Sequence, residues 1–305
     1  MHRSVIVLFL TLSLIFGCHH QTDELVQLRK MNQELMISLN ECQERTPSQQ
    51  AVSLAGTEVQ RLQSQVNGQT YQLYIKYPKG YHESKASYPV LYVIDAETNF
   101  GGVSYIVQRL IKDRLIPKVL VVGIAYGTTY KQFYKLRSRD LTPVEDKDLK
   151  MGGAKVADPT GGAPQFSRFM EEELFPFVQA NYRVKENDRA IYGHSYGGLF
   201  GAYALLHQPQ LFNRYLILSP SLWFKETILI DDLRKMEVDE GEAKVYMASG
   251  ELERRIDVMQ TEFAKILADK KSPALALKAE LMPNETHRTI FGPGFTNGMR
   301  YLYGE

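Results

Sequence analysis

The sequence predicts an α/β domain, a mostly parallel sheet with helices on both faces. Three observations predict it. Short continuous apolar runs, such as Val90–Ile94 and Val119–Ile124, are rich in β-branched residues and bounded by turn residues, the pattern of strands buried on both faces. Strand-like and helix-like stretches alternate from about residue 67 to the end. The composition is ordinary for a globular chain, with 44% hydrophobic and 23% charged residues in 305, which excludes collagen-like, low-complexity and disordered classes.

The N-terminus is a different material. Residues 1–17 carry Arg3 and then an almost wholly apolar run from Val5 to Phe16. That length suits a signal peptide; the alternative, a transmembrane anchor, asks for a longer stretch. Ile15-Phe16-Gly17-Cys18 resembles the lipobox of bacterial lipoproteins. The resemblance implies lipidation of Cys18, and each buried methylene then adds about 0.8 kcal/mol of anchoring. His19, rather than Asp, follows the cysteine. By the same resemblance, this implies a cell-envelope protein, lipid-anchored in an outer membrane and facing the periplasm.

Residues 18–66 contain no aromatic residue. Leu25, Leu28, Asn32, Leu35, Leu39 and Cys42 fall at alternating spacings of three and four, a heptad stripe with Asn32 at a core position. Two readings stay open for this N-terminal helical stalk, a coiled-coil-like spacer. It forms a homodimer through the 25–42 heptads, with Cys42 able to cross-link, or it is a lone helix, for short isolated helices are marginal in water.

The folded domain is expected over 67–305. Tyr71–Tyr77 alternates apolar and polar residues, as a half-buried strand does. A helix is expected over Ser104–Leu115 between the two buried strands. Residues 126–165 read as a long loop, of the kind that is functional or mobile. Phe166–Phe177 reads as a helix that Pro176 bends or ends. Ala190–Tyr192 is a strand, Leu199–Leu206 a helix apolar on every side and hence buried. Tyr215–Leu218, Ala243–Ala248 and Ala274–Leu281 are further strands.

Chemistry concentrates at Gly193-His194-Ser195-Tyr196-Gly197, which fits G-x-S-x-G between an expected strand and an apolar helix. The sharp turn lifts a serine hydroxyl above the sheet, and bulkier flanking residues would clash. A serine nucleophile needs a base. In an α/β-hydrolase the order along the chain is Ser, acid, His, and of the seven histidines only His287 follows in the right place. His194 is expected to point away from the face that carries Ser195. The acid is Glu253, three residues after Gly250, with Glu251 as the alternative and Asp257 behind both. Backbone amides of Tyr196 and Ala96 are the candidate oxyanion hole. Trp223 and Phe100 are candidate pocket walls. No HExxH, CxxC, GxxxxGK or strand-linked GxGxxG occurs, so neither a metal nor a cofactor is expected.

These residues resemble the Putative esterase family of the α/β-hydrolase superfamily, which includes siderophore esterases, S-formylglutathione hydrolase, feruloyl esterases and mycolyltransferases. The resemblance covers about 67–305. Arg137–Pro143 and Ser219–Trp223 are most similar to the siderophore-esterase branch. An α/β-hydrolase fold and ester hydrolysis are what this implies. The expected enzyme is a serine carboxylic-ester hydrolase acting through an acyl-enzyme on a small-molecule ester. Acyl transfer to an envelope acceptor and a non-catalytic envelope tether are the alternatives. The near balance of 36 basic and 35 acidic residues gives no support for a nucleic-acid partner.

Overall fold

The computed structural model describes residues 29–34, 53–151, 154–155, 158–237, 242–270 and 274–304. The chain divides into two units between Ser53 and Leu54. In the first, residues 29–34 are helical (α1) and exposed. The expected signal, Cys18, and the heptad positions Leu25, Leu28, Leu35, Leu39 and Cys42 lie outside the described residues. Among the described residues no helix is long and apolar enough to cross a membrane.

The second unit is built on an eight-stranded sheet. Its strands are β1 (Thr57–Gln63), β2 (Thr70–Lys76), β3 (Tyr88–Val93), β4 (Leu120–Ala125), β7 (Val184–His194), β8 (Arg214–Leu218), β9 (Ala243–Gly250) and β10 (Leu275–Met282). Their order is β1-β2-β4-β3-β7-β8-β9-β10. β1 and β2 run antiparallel to their neighbours, and β4 through β10 pair in parallel. A small separate hairpin joins β5 (Lys150–Met151) to β6 (Ala154–Lys155). β3 and β4 are buried at every residue, whereas β2 alternates, because only the interior strands are covered on both faces.

Helices α2 (Ala96–Lys112) and α9 (Phe291–Tyr303) cover one face, and α6 (Tyr196–His207) and α8 (Arg255–Lys270) the other. Every residue of α6 from Tyr196 to Leu206 is buried, since the sheet lies on one side and α3 (Tyr130–Leu141), α4 (Ala163–Phe169) and α7 (Ile228–Lys235) on the other. This is the all-round apolar helix that the sequence predicts. The chain leaves β3 toward β4 on one side and returns to β7 on the other, so the C-terminal ends of β3 and β7 form a topological switch point. In open α/β sheets, ligands bind in the crevice at such a point.

Three expectations are corrected. The domain begins before residue 67: Thr57–Gln63 pairs residue for residue with β2. TEVQRLQ is a hydrophilic edge strand with at most half-buried side chains, so its composition reads as stalk. Within the expected 126–165 loop, Tyr130–Leu141 is a helix (α3), capped by the Thr129 hydroxyl on the Gln132 N–H. Three charged or polar residues, Arg137, Ser138 and Asp140, point inward along it, and they mask its amphipathic pattern. Pro176 does not end its helix. α4 (Ala163–Phe169) runs through one π turn (Met170–Leu174) into α5 (Phe175–Asn181). The wider turn takes up the clash of the proline ring with the turn before it.

Deleting β1 would strip β2 of one of its two partners, along seven residue pairs, and leave it the sheet edge. A chain starting at Leu54 should melt as one starting at Asp23 does. A chain starting at Asn67 should melt lower, by about 2–4 °C for each kcal/mol lost. Equal melting temperatures by calorimetry would remove β1 from the domain.

Candidate active site

Four successive parallel strands, β7 to β10, deliver the candidate catalytic side chains from their C-terminal ends. Ser195 follows β7, Ser219 and Ser221 follow β8, Glu253 follows β9 and His287 follows β10. Strand register therefore decides their spacing: His194 pairs with Leu218, Leu218 with Ala248, and Gly250 with Met282.

Ser195 sits at φ 60, ψ −116, a conformation that non-glycine residues rarely adopt. Its N–H donates to the Leu218 carbonyl at 3.1 Å, and its carbonyl accepts from the Leu199 and Ser221 N–H groups at 2.9 and 3.1 Å. A Cβ on Gly193 would lie 2.0 Å from the Gly197 carbonyl oxygen, so the turn closes only on glycine. The Ser195 and Ser221 hydroxyls are 3.3 Å apart.

His287 Nδ1 lies 2.7 Å from Glu253 Oε2. Glu253 Oε1 accepts from the Ser219 hydroxyl and the Gly250 N–H, both at 2.6 Å. Burial alone would raise the Glu253 pKa. The bonds from His287, Ser219 and Gly250 outweigh it and hold the carboxyl below its usual range. The anion on Oε2 makes Nδ1 the protonated nitrogen, which leaves His287 Nε2 able to take a proton.

Geometry thus separates the two glutamates. Glu253 meets the histidine, while Glu251 Oε2 accepts from the Asn284 N–H at 3.0 Å. With the Leu252 N–H donating to the Glu285 carbonyl, Glu251 pins the loop that carries His287. A Cβ on Gly250 would fall 2.2 Å from the Glu285 carbonyl oxygen, so these loops approach closely. Asp257 lies in the first turn of α8, away from this contact.

His194 does not point away. Its Nε2 lies 2.7 Å from the His287 carbonyl oxygen, and the two rings are 4.5 Å apart. Burial first, and the neighbouring His287 second, push its pKa down to about 4. A neutral ring facing a carbonyl carries its proton on Nε2 and donates it.

Ala96 and Tyr196 are the first residues of α2 and α6. Backbone N–H groups of a first helical turn have no intrahelical acceptor, and the helix dipole favours negative charge there. The two turns lie side by side: a Cβ on Gly197 would come 3.2 Å from Ile94 Cγ2 and 3.5 Å from Asp95 Oδ2. Asp95 is itself held by Arg137, Nε to Oδ1 at 2.9 Å and Nη2 to Oδ2 at 2.6 Å. Burial opposes the charge on Arg137, and Asp95 more than restores it. The guanidinium also lies 5.2 Å from the centre of the Tyr196 ring. One buried ion pair thereby joins α3 to both candidate oxyanion turns.

Trp223 is half-buried, its ring 6.0 Å from that of Tyr196, beside the site. Phe100 is corrected to core: it packs under α2 against the Tyr74 ring and the Gly123 backbone. Ser219, Ser221, His194 and the Asp95–Arg137 pair were not assigned roles from sequence. Ser219–Trp223 and Arg137–Pro143 stood out as motifs, and only the fold shows that both wrap the same turn.

The residues 64–292 match the model of a family described as Putative esterase. The ferri-bacillibactin esterase BesA of Bacillus subtilis is 33% identical over 230 residues, covering 72% of this chain and 78% of the relative. The crystal structure of the BES protein from Bacillus cereus superposes with a TM-score of 0.75 at 26% identity, covering 85% of this chain and 100% of that one. An IroE-like serine hydrolase from Shewanella oneidensis gives a TM-score of 0.71 at 30% identity, covering 81% of this chain and 80% of the other.

Two outcomes follow from the geometry. Glu253→Gln should lower kcat by about 10³–10⁴, as loss of an orienting carboxylate does, while Glu251→Gln should keep kcat and lower the melting temperature. The reverse ranking in steady-state assays would exchange their roles. For His194, the unfolded chain takes up a proton near 6.5 and the folded chain only near 4. Its contribution to stability is complete above about pH 6.5 and is lost as pH falls toward 4, on the order of 3 kcal/mol. His194→Gln should flatten the melting temperature across that window; an unchanged slope would remove this linkage.

Proposed function

Since the chain belongs to the Putative esterase family and is an esterase, we propose that it cleaves siderophore-type carboxylic esters through an acyl-enzyme on Ser195. The observation that carries this is the 2.7 Å contact of His287 with a thrice-bonded Glu253, the His287 ring lying 4.5 Å from that of His194 in the Ser195 turn. The Ser195 hydroxyl oxygen bonds to the ester carbonyl carbon as His287 Nε2 takes its proton. Amides of Tyr196 and Ala96 hold the developing oxyanion, where each such donor is worth about 2.7–4 kcal/mol. The C–O bond to the leaving alcohol breaks and the alcohol takes the proton from His287. Water, deprotonated by the same nitrogen, then releases the acid and restores Ser195.

Two things favour a siderophore-type ester. The 33%-identical relative is named for ferri-bacillibactin. The motifs similar to that branch are also the ones against the site: Arg137 on Asp95, Ser219 on Glu253 and Ser221 on Ser195. Trp223 is the candidate wall for the acyl or alcohol group. The envelope setting belongs to the same proposal. A signal ending at Gly17 and a lipid on Cys18 would tether the domain through the spacer that follows, single or paired through its heptads.

Purified protein should hydrolyse p-nitrophenyl butyrate and a catecholate trilactone, and Ser195→Ala should abolish both while the far-UV spectrum persists. Full activity in that variant would overturn the nucleophile. Activity on the butyrate with none on the trilactone would overturn the substrate class alone. Cys18→Ala should release the protein from membranes washed at high salt; continued retention there would argue for a spanning anchor.

A further inference from the structure

The end of the domain opposite Ser195 carries a cleft of about 1220 Å3. Helices α2 and α9 begin at the catalytic end, and the cleft lies where both finish, some 25 Å away along the 17 residues of α2. Lys112, Arg114, Lys118, Lys278 and Arg300 line it, all exposed, with no acidic residue among the described lining. Lys278 is committed to Glu280 at 2.6 Å. Lys112, Arg114, Lys118 and Arg300 form no ion pair among the described residues. The nearby acids are Asp113 beside Arg114, and Glu83 in the neighbouring cleft.

Cations in the last turns of helices answer the helix carbonyls, which accounts for Lys112 and Arg300. It does not account for the loop between α2 and β4. There Arg114-Leu115-Ile116-Pro117-Lys118 presents Leu115, 42% exposed, and Pro117 between two unpaired cations. An apolar tip flanked by cations fits neither a free phosphate ligand nor a solvated surface; it suits an interface with headgroup phosphates outside and acyl chains beneath. The neighbouring cleft shares Ile111, Lys112 and Lys118 and is lined by Ala55 and Gly56, the first residues of the domain. The basic face therefore adjoins the first residues of the domain.

We propose that this face docks on an anionic phospholipid surface, with Leu115 entering the interface, so that the Ser195 site faces away from the membrane. The proposal rests on the envelope reading only for which membrane is met. The lipid tether brings the face to the bilayer, and the cations set its orientation.

The test uses residues 54–305, a compact unit by itself that holds every core residue among those described, so it folds alone. This piece lacks Cys18, so its result is independent of the tether. Co-sedimentation with phosphatidylcholine vesicles is compared with vesicles containing about one third phosphatidylglycerol, at low and at high salt. The expected result is at least tenfold stronger binding to the anionic vesicles, weakened by salt. Each cation near such a surface contributes about fivefold. Arg114→Glu/Lys118→Glu/Arg300→Glu should therefore lose about a hundredfold or more, and Leu115→Ser should weaken binding at unchanged charge. All variants should keep wild-type p-nitrophenyl butyrate hydrolysis. Equal binding to both vesicle types, unchanged binding by the triple variant, or binding of soluble polyphosphate without vesicle binding would overturn the proposal. If Cys18→Ala releases the full chain from membranes while this piece ignores anionic vesicles, the docking face fails and the tether stands.

Discussion

Ser195 can stand above the sheet only because Gly193 lets the chain pass the Gly197 carbonyl at a distance no side chain tolerates. The turn stores strain, on the order of 1–3 kcal/mol for a non-glycine residue in such a conformation. The surroundings make it the best arrangement available. Both backbone groups of Ser195 are bonded, to Leu218 on one side and to Leu199 and Ser221 on the other. Relaxing the turn would give up these bonds and pull α6 from its fully buried seat. The nucleophile is therefore held by the register of β7 on β8 and by the packing of α6, not by local preference.

The same logic governs charge. An ionised group taken out of water needs partners at nearly every lone pair or proton. Glu253 has three donors on two oxygens, and one of them is the histidine it orients. Asp95 and Arg137 meet through two parallel bonds, the geometry that repays burial best. These pairs add little net stability over apolar residues of the same shape. What they do is fix where three turns lie relative to one another, since moving any one would leave a buried charge unpaired.

Much of this was legible in the sequence. The buried strands, the apolar α6 and the order Ser195, Glu253, His287 each leave a local or ordinal trace. Glu251 against Glu253 was not decidable, because two residues apart in a short 3-10 turn they differ only in what the β10 loop offers them. The direction of His194 is not written in its own turn; the loop that its ring touches arrives from 93 residues further on. α3 escaped because its buried face is written in Arg137, Ser138 and Asp140, polar residues whose partners lie elsewhere in the chain. β1 escaped for the opposite reason: an edge strand can be as hydrophilic as a stalk. Periodicity reports burial in apolar surroundings, and polar residues buried against distant partners leave no such signal.

Backbone strain marks out the site independently of any motif. Asp95, Ser195, Ser219, Arg254 and Asn284 all have positive φ without being glycine, five of the nine such residues among those described. They fall just after β3, β7, β8, β9 and β10 in turn, one at each strand end that contributes to the site. No β-branched residue is among them, and Asp and Asn tolerate this conformation best. A glycine at these places would relieve the strain and also free the backbone. At Asp95 and Ser195 it would remove the Arg137 partner or the nucleophile itself. At Ser219 it would remove a donor to Glu253, and at Asn284 it would loosen the loop behind His287. The fold accepts a small cost at four of these strand ends because Asp95, Ser195, Ser219 and Asn284 each do a second task there, and the burial of α6 and the inner strands covers the total.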